Sequence, residues 1–137
     1  MTYISTEAND PLLGTALKSM LGELGMELVL EPADEVALTP VVFTHFHFDL
    51  SFLAYNSGGD PAIGLSRIWS SETEGRNFGN PTHSSNSEVD ALLQEARSEA
   101  DLAKRGAIYA KIQNILGRDL PPLTLHERIN KSGVTAA

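Results

Sequence analysis

His45, His47 and Asp49 stand at alternate positions and bring three ligand-type side chains into five residues. Imidazoles and a carboxylate clustered on a tight loop can hold a metal ion and lower the pKa of a bound water toward ~7, which is hydrolytic chemistry. A plainer reading stands beside it. In an extended segment, residues i and i+2 share one face, so both histidines would be partly exposed residues leading into a strand, able at most to bind metal adventitiously. A second grouping follows at Tyr55, Asn56, Ser57, Gly58, Gly59, Asp60 and Pro61. Here a ring offers a flat apolar wall, an amide offers donors and acceptors, and glycines let backbone approach a bound molecule closely. Asp60 before Pro61 also suits a turn or a helix cap.

The flanking sequence predicts the elements that position these groups. Tyr3 and Ile4 favour a strand over residues 2–5. Asp10 and Pro11 read as N-cap and first helical residue, and Leu12, Leu13, Ala16, Leu17, Met20, Leu21 and Leu24 draw one apolar stripe along the helix. Gly25 ends it, residues 26–31 alternate as a second strand, and a helix or irregular crossover from Pro32 reaches about Phe43. Residues 48–55 read as a third strand. Strand, helix, strand, crossover, strand implies an α/β fold with a mostly parallel sheet flanked by helices.

Residues 56–85 are rich in Gly, Ser, Asn and Pro and predict a long ordered loop, broken by a short helix over 62–69 that ends on the single tryptophan, Trp69, a cleft or core residue. Ser87 with Asp90 resembles a capping box ahead of Val89, Leu92, Leu93 and Ala96. Asp101 caps a further helix whose apolar face is Leu102, Ile108, Tyr109, Ile112, Ile115 and Leu116, with Gly106 costing about 1 kcal/mol against alanine. Two antiparallel helices result. Their charged residues, including Glu95, Arg97, Glu99, Lys104, Arg105 and Lys111, read as solvated surface. Pro121 and Pro122 break the pattern, residues 123–125 can return as a strand, and a polar tail frays.

A chain of 137 residues is the size of one domain, and 42% hydrophobic with 20% charged residues is a globular composition. The net charge of −8 opposes nucleic acid and anionic bilayers as partners. The absence of cysteine excludes disulfides and thiolate metal sites. No secretory signal is expected at the start, and no window approaches the ~20 apolar residues of a membrane span.

Thr44 to Asp49 resembles the opening of the metallo-β-lactamase signature, which implies a metal-dependent hydrolase using His45, His47 and Asp49. Against it, position 50 is leucine where that signature closes on histidine, the following run is strand-like, and only His83 and His126 remain as further imidazoles. A longer pattern points elsewhere. Phe48, Asp49, Tyr55, Asn56 and the Gly59-Asp60-Pro61 turn precede Asn86 through Leu93, Glu95 through Arg105, Ile108-Tyr109 and Asp119 through Leu125 in one fixed order. This succession resembles the second lobe of the bacterial extracellular solute-binding proteins of family 5, the peptide/nickel-type receptors of ABC importers.

The resemblance implies the carboxyl-terminal lobe of a type II periplasmic binding protein over residues 1–137, one domain and a fragment of a two-lobed receptor. It implies binding of a peptide or similar small solute by hinge closure for uptake, with no enzymatic activity, cofactor or resident metal. The solute would meet Tyr55, Asn56, Ser57 and Asp60. Expected partners are the solute, the missing first lobe and the ABC permease of the intact protein, with self-association of the fragment through an apolar patch. The intact receptor would be periplasmic or extracellular and membrane-associated. Peptide-binding members commonly carry a further aspartate in this turn for the ligand's α-ammonium. Here Gly58 stands in its place, so a sugar, an opine-like compound or a modified peptide stays open.

Overall fold

The computed structural model describes residues 1–5, 7, 9–56, 58–64, 66–120, 122, 123 and 125. Its first half is a β-α-β-α arrangement: β1 (Thr2–Ile4), α1 (Asp10–Glu23), β2 (Glu31–Ala33) and α2 (Glu35–Phe43). β1 and β2 pair in parallel, with Thr2 opposite Glu31, Tyr3 opposite Pro32 and Ile4 opposite Ala33. Pro32 has no N–H to donate, and its place on an edge strand tolerates that.

Side chains alternate across β1, and each face acquires its own core. Tyr3 joins Met1 and Leu28, with Leu17, Leu21, Leu30 and Phe52 packed against them. Ile4, on the other face, packs on Leu38, Val42 and Phe43 of α2, with Ala33, Phe48, Leu53 and Tyr55 alongside.

Two expected strands shorten. The second occupies Glu31–Ala33 instead of 26–31. Gly25 turns the chain at φ +78°, and the Met26 N–H folds back onto the Leu21 carbonyl at 2.9 Å, which ties residue 26 to the end of α1. The third, expected over 48–55, meets the sheet at a single parallel bridge between Thr2 and Ser51. There the Thr2 N–H donates to Leu50 O at 3.0 Å and the Phe52 N–H to Thr2 O at 3.2 Å. A three-residue central strand offers its neighbour no longer ladder. Residues 50–52 nevertheless run parallel to β1 on the side opposite β2.

The second half begins with two short helices, α3 (Pro61–Gly64) and α4 (Ser66–Trp69), and a 3-10 turn over Ser71–Thr73. It closes with the antiparallel hairpin of α5 (Ser87–Ser98) and α6 (Leu102–Asp119). Val89, Leu92, Leu93 and Ala96 meet Ile108, Ile112 and Ile115 in one core, against which Trp69, Tyr109 and Leu116 pack. Burying a side chain of this kind contributes roughly 1.5–3 kcal/mol. Leu102, expected on this face, is 75% exposed.

Asp101 caps α6 as expected, accepting from the Ala103 and Lys104 N–H groups at 2.9 and 3.0 Å. α5 is capped by Asn86 instead of Ser87, through the Glu88 and Val89 N–H groups. Asp90 is thereby released from the expected capping box and receives the Ser71 N–H at 2.9 Å and hydroxyl at 2.6 Å, fastening the 3-10 turn to α5. At α1 the N-cap position is Asn9, and Asp10 is buried. Leu123 and Leu125 lie in no strand, while Thr124 and the polar tail fall outside the described residues.

The α1 stripe is covered on one half only. Leu17 and Leu21 pack on the Met1–Tyr3–Leu28 core, while Leu12, Met20 and Leu24 are 71%, 64% and 73% exposed. Among the described residues, no helix is long and apolar enough to cross a membrane.

Candidate functional site

Parallel strands leave their carboxyl ends pointing to one edge, and the loops departing there are the usual place for a ligand. On this edge the segments after β1, after β2 and after Ser51 converge around a cavity of about 160 Å³. Its apolar wall includes Ile4, Leu38, Phe43, Phe52, Tyr55 and Phe78, and its polar lining includes the carboxyl side chains of Glu7, Asp10 and Glu35. Solute pockets are typically ~300–1,000 Å³, so this hollow can grip part of a small molecule.

Tyr55 is built into that wall. Its ring stands edge-on to Phe43, with centroids 6.5 Å apart, and the Arg67 guanidinium lies 5.7 Å over its face. Its hydroxyl donates to the Gly79 carbonyl at 3.1 Å. Burial pushes the phenol far above its ordinary range, and Arg67 offsets this only in part. Gly79 itself is possible only as glycine, because a Cβ there would sit 2.1 Å from the Thr73 carbonyl oxygen. Phe78, at φ +59°, turns its ring onto Phe43 at 5.5 Å. The long loop thus closes over the aromatic wall.

The other expected contacts stand on the elbow beyond the cavity. Asn56 is exposed, and its carbonyl oxygen accepts the Gly58 N–H at 2.8 Å, closing a small turn that needs Gly58 at φ +67°. The two amide donors of Asn56 are not used by that turn. Ser57 lies outside the described residues. Asp60 accepts the Ala62 N–H at 2.8 Å and so starts α3, while its other oxygen pairs with Arg105 at 3.0 Å. Arg105, read from sequence as solvated surface, is in fact an internal partner of the elbow. Trp69 packs on the hairpin core, where it borders a separate hollow of about 380 Å³.

Glu7, Asp10, Glu35 and Phe78 were not singled out by sequence reasoning. The first three sit just past the carboxyl ends of β1 and β2, so the strand-edge rule, applied to every strand, would have found them. Phe78 carries no such local signal, because a loop brings it back from a distance.

The histidine group gives no metal geometry. The His45 N–H donates to Pro40 O and the His47 N–H to Val41 O, which wraps 44–47 around the end of α2 instead of extending it. Phe46 takes φ +52°, and the two exposed imidazoles lie 5.8 Å apart. Among the described residues, no three His, Cys, Asp or Glu side chains form a group that could hold a metal ion. The hydrolase reading built on His45, His47 and Asp49 finds no support.

No protein-family model and no curated protein matches the chain. Solved structures do. The ABC transporter substrate-binding protein CtaP from Listeria monocytogenes is 26% identical, with a TM-score of 0.73, over 86% of this chain and 24% of its own. NikZ from Campylobacter jejuni, solved in complex with Ni(L-His), is 19% identical with a TM-score of 0.72, over 88% of this chain and 24% of its own. The periplasmic binding protein DppA from Helicobacter pylori, solved with the peptide STSA, is 21% identical with a TM-score of 0.70, over the same shares. The chain spans about a quarter of the length of each. In fold the chain is similar to a portion of these ABC-transporter and periplasmic binding proteins, in line with the resemblance of its sequence to the peptide/nickel type of family 5.

Proposed function

We propose that the chain is the carboxyl-terminal lobe of an ABC-importer receptor that binds a peptide or similar small solute by hinge closure and performs no covalent chemistry. The observation that carries this reading is the cavity at the carboxyl edge of the parallel strands, with Tyr55 in its wall and the elbow of Asn56, Ser57 and Asp60 beside it. A hollow of about 160 Å³ is half a pocket, which suits a clamp whose other jaw belongs to a first lobe. The bare half of the α1 stripe supports the same reading, since exposed apolar surface of this kind marks an interface. In the intact receptor, placed in the periplasm or outside the cell at the membrane, the rest of the chain covers it. In the isolated chain it favours self-association. The permease is the partner of the intact receptor.

Binding energy in a clamp comes from both jaws. Isothermal titration of this chain and of the full-length receptor with the STSA peptide and with Ni(L-His) tests the proposal. Saturable binding of a probe by the receptor, with binding at least about a hundredfold weaker by this chain, is expected. Equally tight binding by this chain alone would refute the half-clamp.

A further inference from the structure

We infer that Arg105, on the helical hairpin, is a positioning residue that holds the solute-facing elbow in place; its bearing on solute affinity rests on the receptor reading above. Among the described residues, nothing lies within 4 Å of where a Cβ would stand on Gly58 or Gly59. The Asn56–Gly58 bond closes the turn without tying it to the rest of the fold. Two contacts at its ends tie it to distant parts of the fold. On one side Tyr55 is anchored on Gly79, and on the other Asp60 is anchored on Arg105.

The two oxygens of Asp60 divide their work. One accepts the Ala62 N–H and organises the start of α3, while the Asp60 backbone carbonyl receives the Ile63 and Gly64 N–H groups. The other lies 3.0 Å from a guanidinium nitrogen of Arg105, with side chains 32% and 26% exposed, which shields the pair from full solvent screening. Arg105 sits near the start of α6, where the helix dipole disfavours a cation. Its carboxylate partner comes from a distant loop and not from α6 itself. Tyr109, one turn on, packs against the hairpin core, and its buried hydroxyl makes no hydrogen bond among the described residues. Its phenol is pushed up by burial and then by Asp60, consistent with the carboxylate being held over this part of α6. The best-packed unit of the fold thus carries one arm that reaches the elbow.

Hydrogen exchange on this chain tests the assignment without any solute. Asp60→Asn keeps an acceptor for the Ala62 N–H and removes the charge, and Arg105→Gln removes the cation. Each is expected to speed exchange of the Ala62, Ile63 and Gly64 amides about tenfold, the lower end of what a charge-assisted hydrogen bond holds. The amides of α5 and α6 stay as in the parent, the double variant adds nothing further, and Arg105→Lys restores most of the protection. Unchanged elbow exchange, an equal rise throughout α6, or simple addition in the double variant would overturn the inference. In the full-length receptor, Arg105→Gln is expected to raise the Kd for the STSA peptide about tenfold with an unchanged melting temperature. If the parent receptor binds no peptide, the solute assignment fails while the exchange result still decides the role of Arg105. An unchanged Kd in a binding receptor would refute a role in affinity.

Discussion

Gly79→Ala is the sharpest test of how the aromatic wall is held. The added Cβ would lie 2.1 Å from Thr73 O and 3.0 Å from Arg76 O, both backbone atoms that no rotamer change can move aside. The same turn is closed by the Gly79 N–H to Arg76 O bond at 2.9 Å and the Arg76 N–H to Thr73 O bond at 3.2 Å. Relief requires moving the turn, and the Gly79 carbonyl that receives Tyr55 moves with it. Overpacking of this kind costs about 1–3 kcal/mol, and losing the Tyr55 bond adds about 0.5–1.5 kcal/mol, for a total of about 1.5–4.5 kcal/mol. With an unfolding entropy of about 2.1 cal/mol/K per residue over 137 residues, the melting temperature should fall by about 5–16 °C. Scanning calorimetry measures the fall, and an alkaline spectrophotometric titration follows the phenols. Release of Tyr55 should return one tyrosine toward its ordinary range. A melting temperature within about 2 °C of the parent, with that tyrosine still resisting ionisation, would show that the turn does not hold the wall.

Further outcomes follow from the same contacts. Gly106 is exposed within α6 with open space around its missing Cβ, so Gly106→Ala should stabilise by about 1 kcal/mol, or about 3 °C in a thermal melt; a fall would expose a contact that the packing does not contain. Tyr55 ionises at higher pH in the folded than in the unfolded chain, so its contribution is fully present below the ordinary tyrosine value near 10 and is lost as pH rises above it. Tyr55→Phe should therefore flatten the alkaline decline in chemical stability, and an unaltered slope would contradict this placement of the ring. Replacing Met20 and Leu24 by Gln should lower the apparent mass of the isolated chain in sedimentation equilibrium while leaving its melting temperature within about 2 °C, as expected for exposed positions. A parent chain that stays monomeric at high concentration would remove the self-association proposal.

The hairpin was the most legible part of the molecule. Val89, Leu92, Leu93 and Ala96 against Ile108, Ile112 and Ile115 is a pattern of period 3.6 on both sides of a short connection, and every one of those residues is buried. Caps were readable to within a residue: Asp101 holds as expected, while Asn86 displaces Ser87 because its side chain reaches two N–H groups at once. Strand extent was less legible. Alternation at 26–31 and a β-prone run at 48–55 show that a segment can be a strand, whereas ladder length depends on the partner, and β1 offers three residues. On α1, seven apolar positions predicted one buried face, and Leu12, Met20 and Leu24 of it are exposed.

By itself, the order of residues determined the α/β class, the two long carboxyl-terminal helices and the turn at Gly58, because these depend on neighbours a few positions away. Tertiary structure alone decided what faces the cavity and what holds the elbow. Tyr55 finds Gly79 twenty-four residues away, Asp60 finds Arg105 on the far helix, and Glu7, Asp10 and Glu35 line one cavity because β1 and β2 end at one edge. Such contacts leave no periodicity in a single chain. They exist only once the loops between them have closed, with the entropy of that closure offset by burial elsewhere.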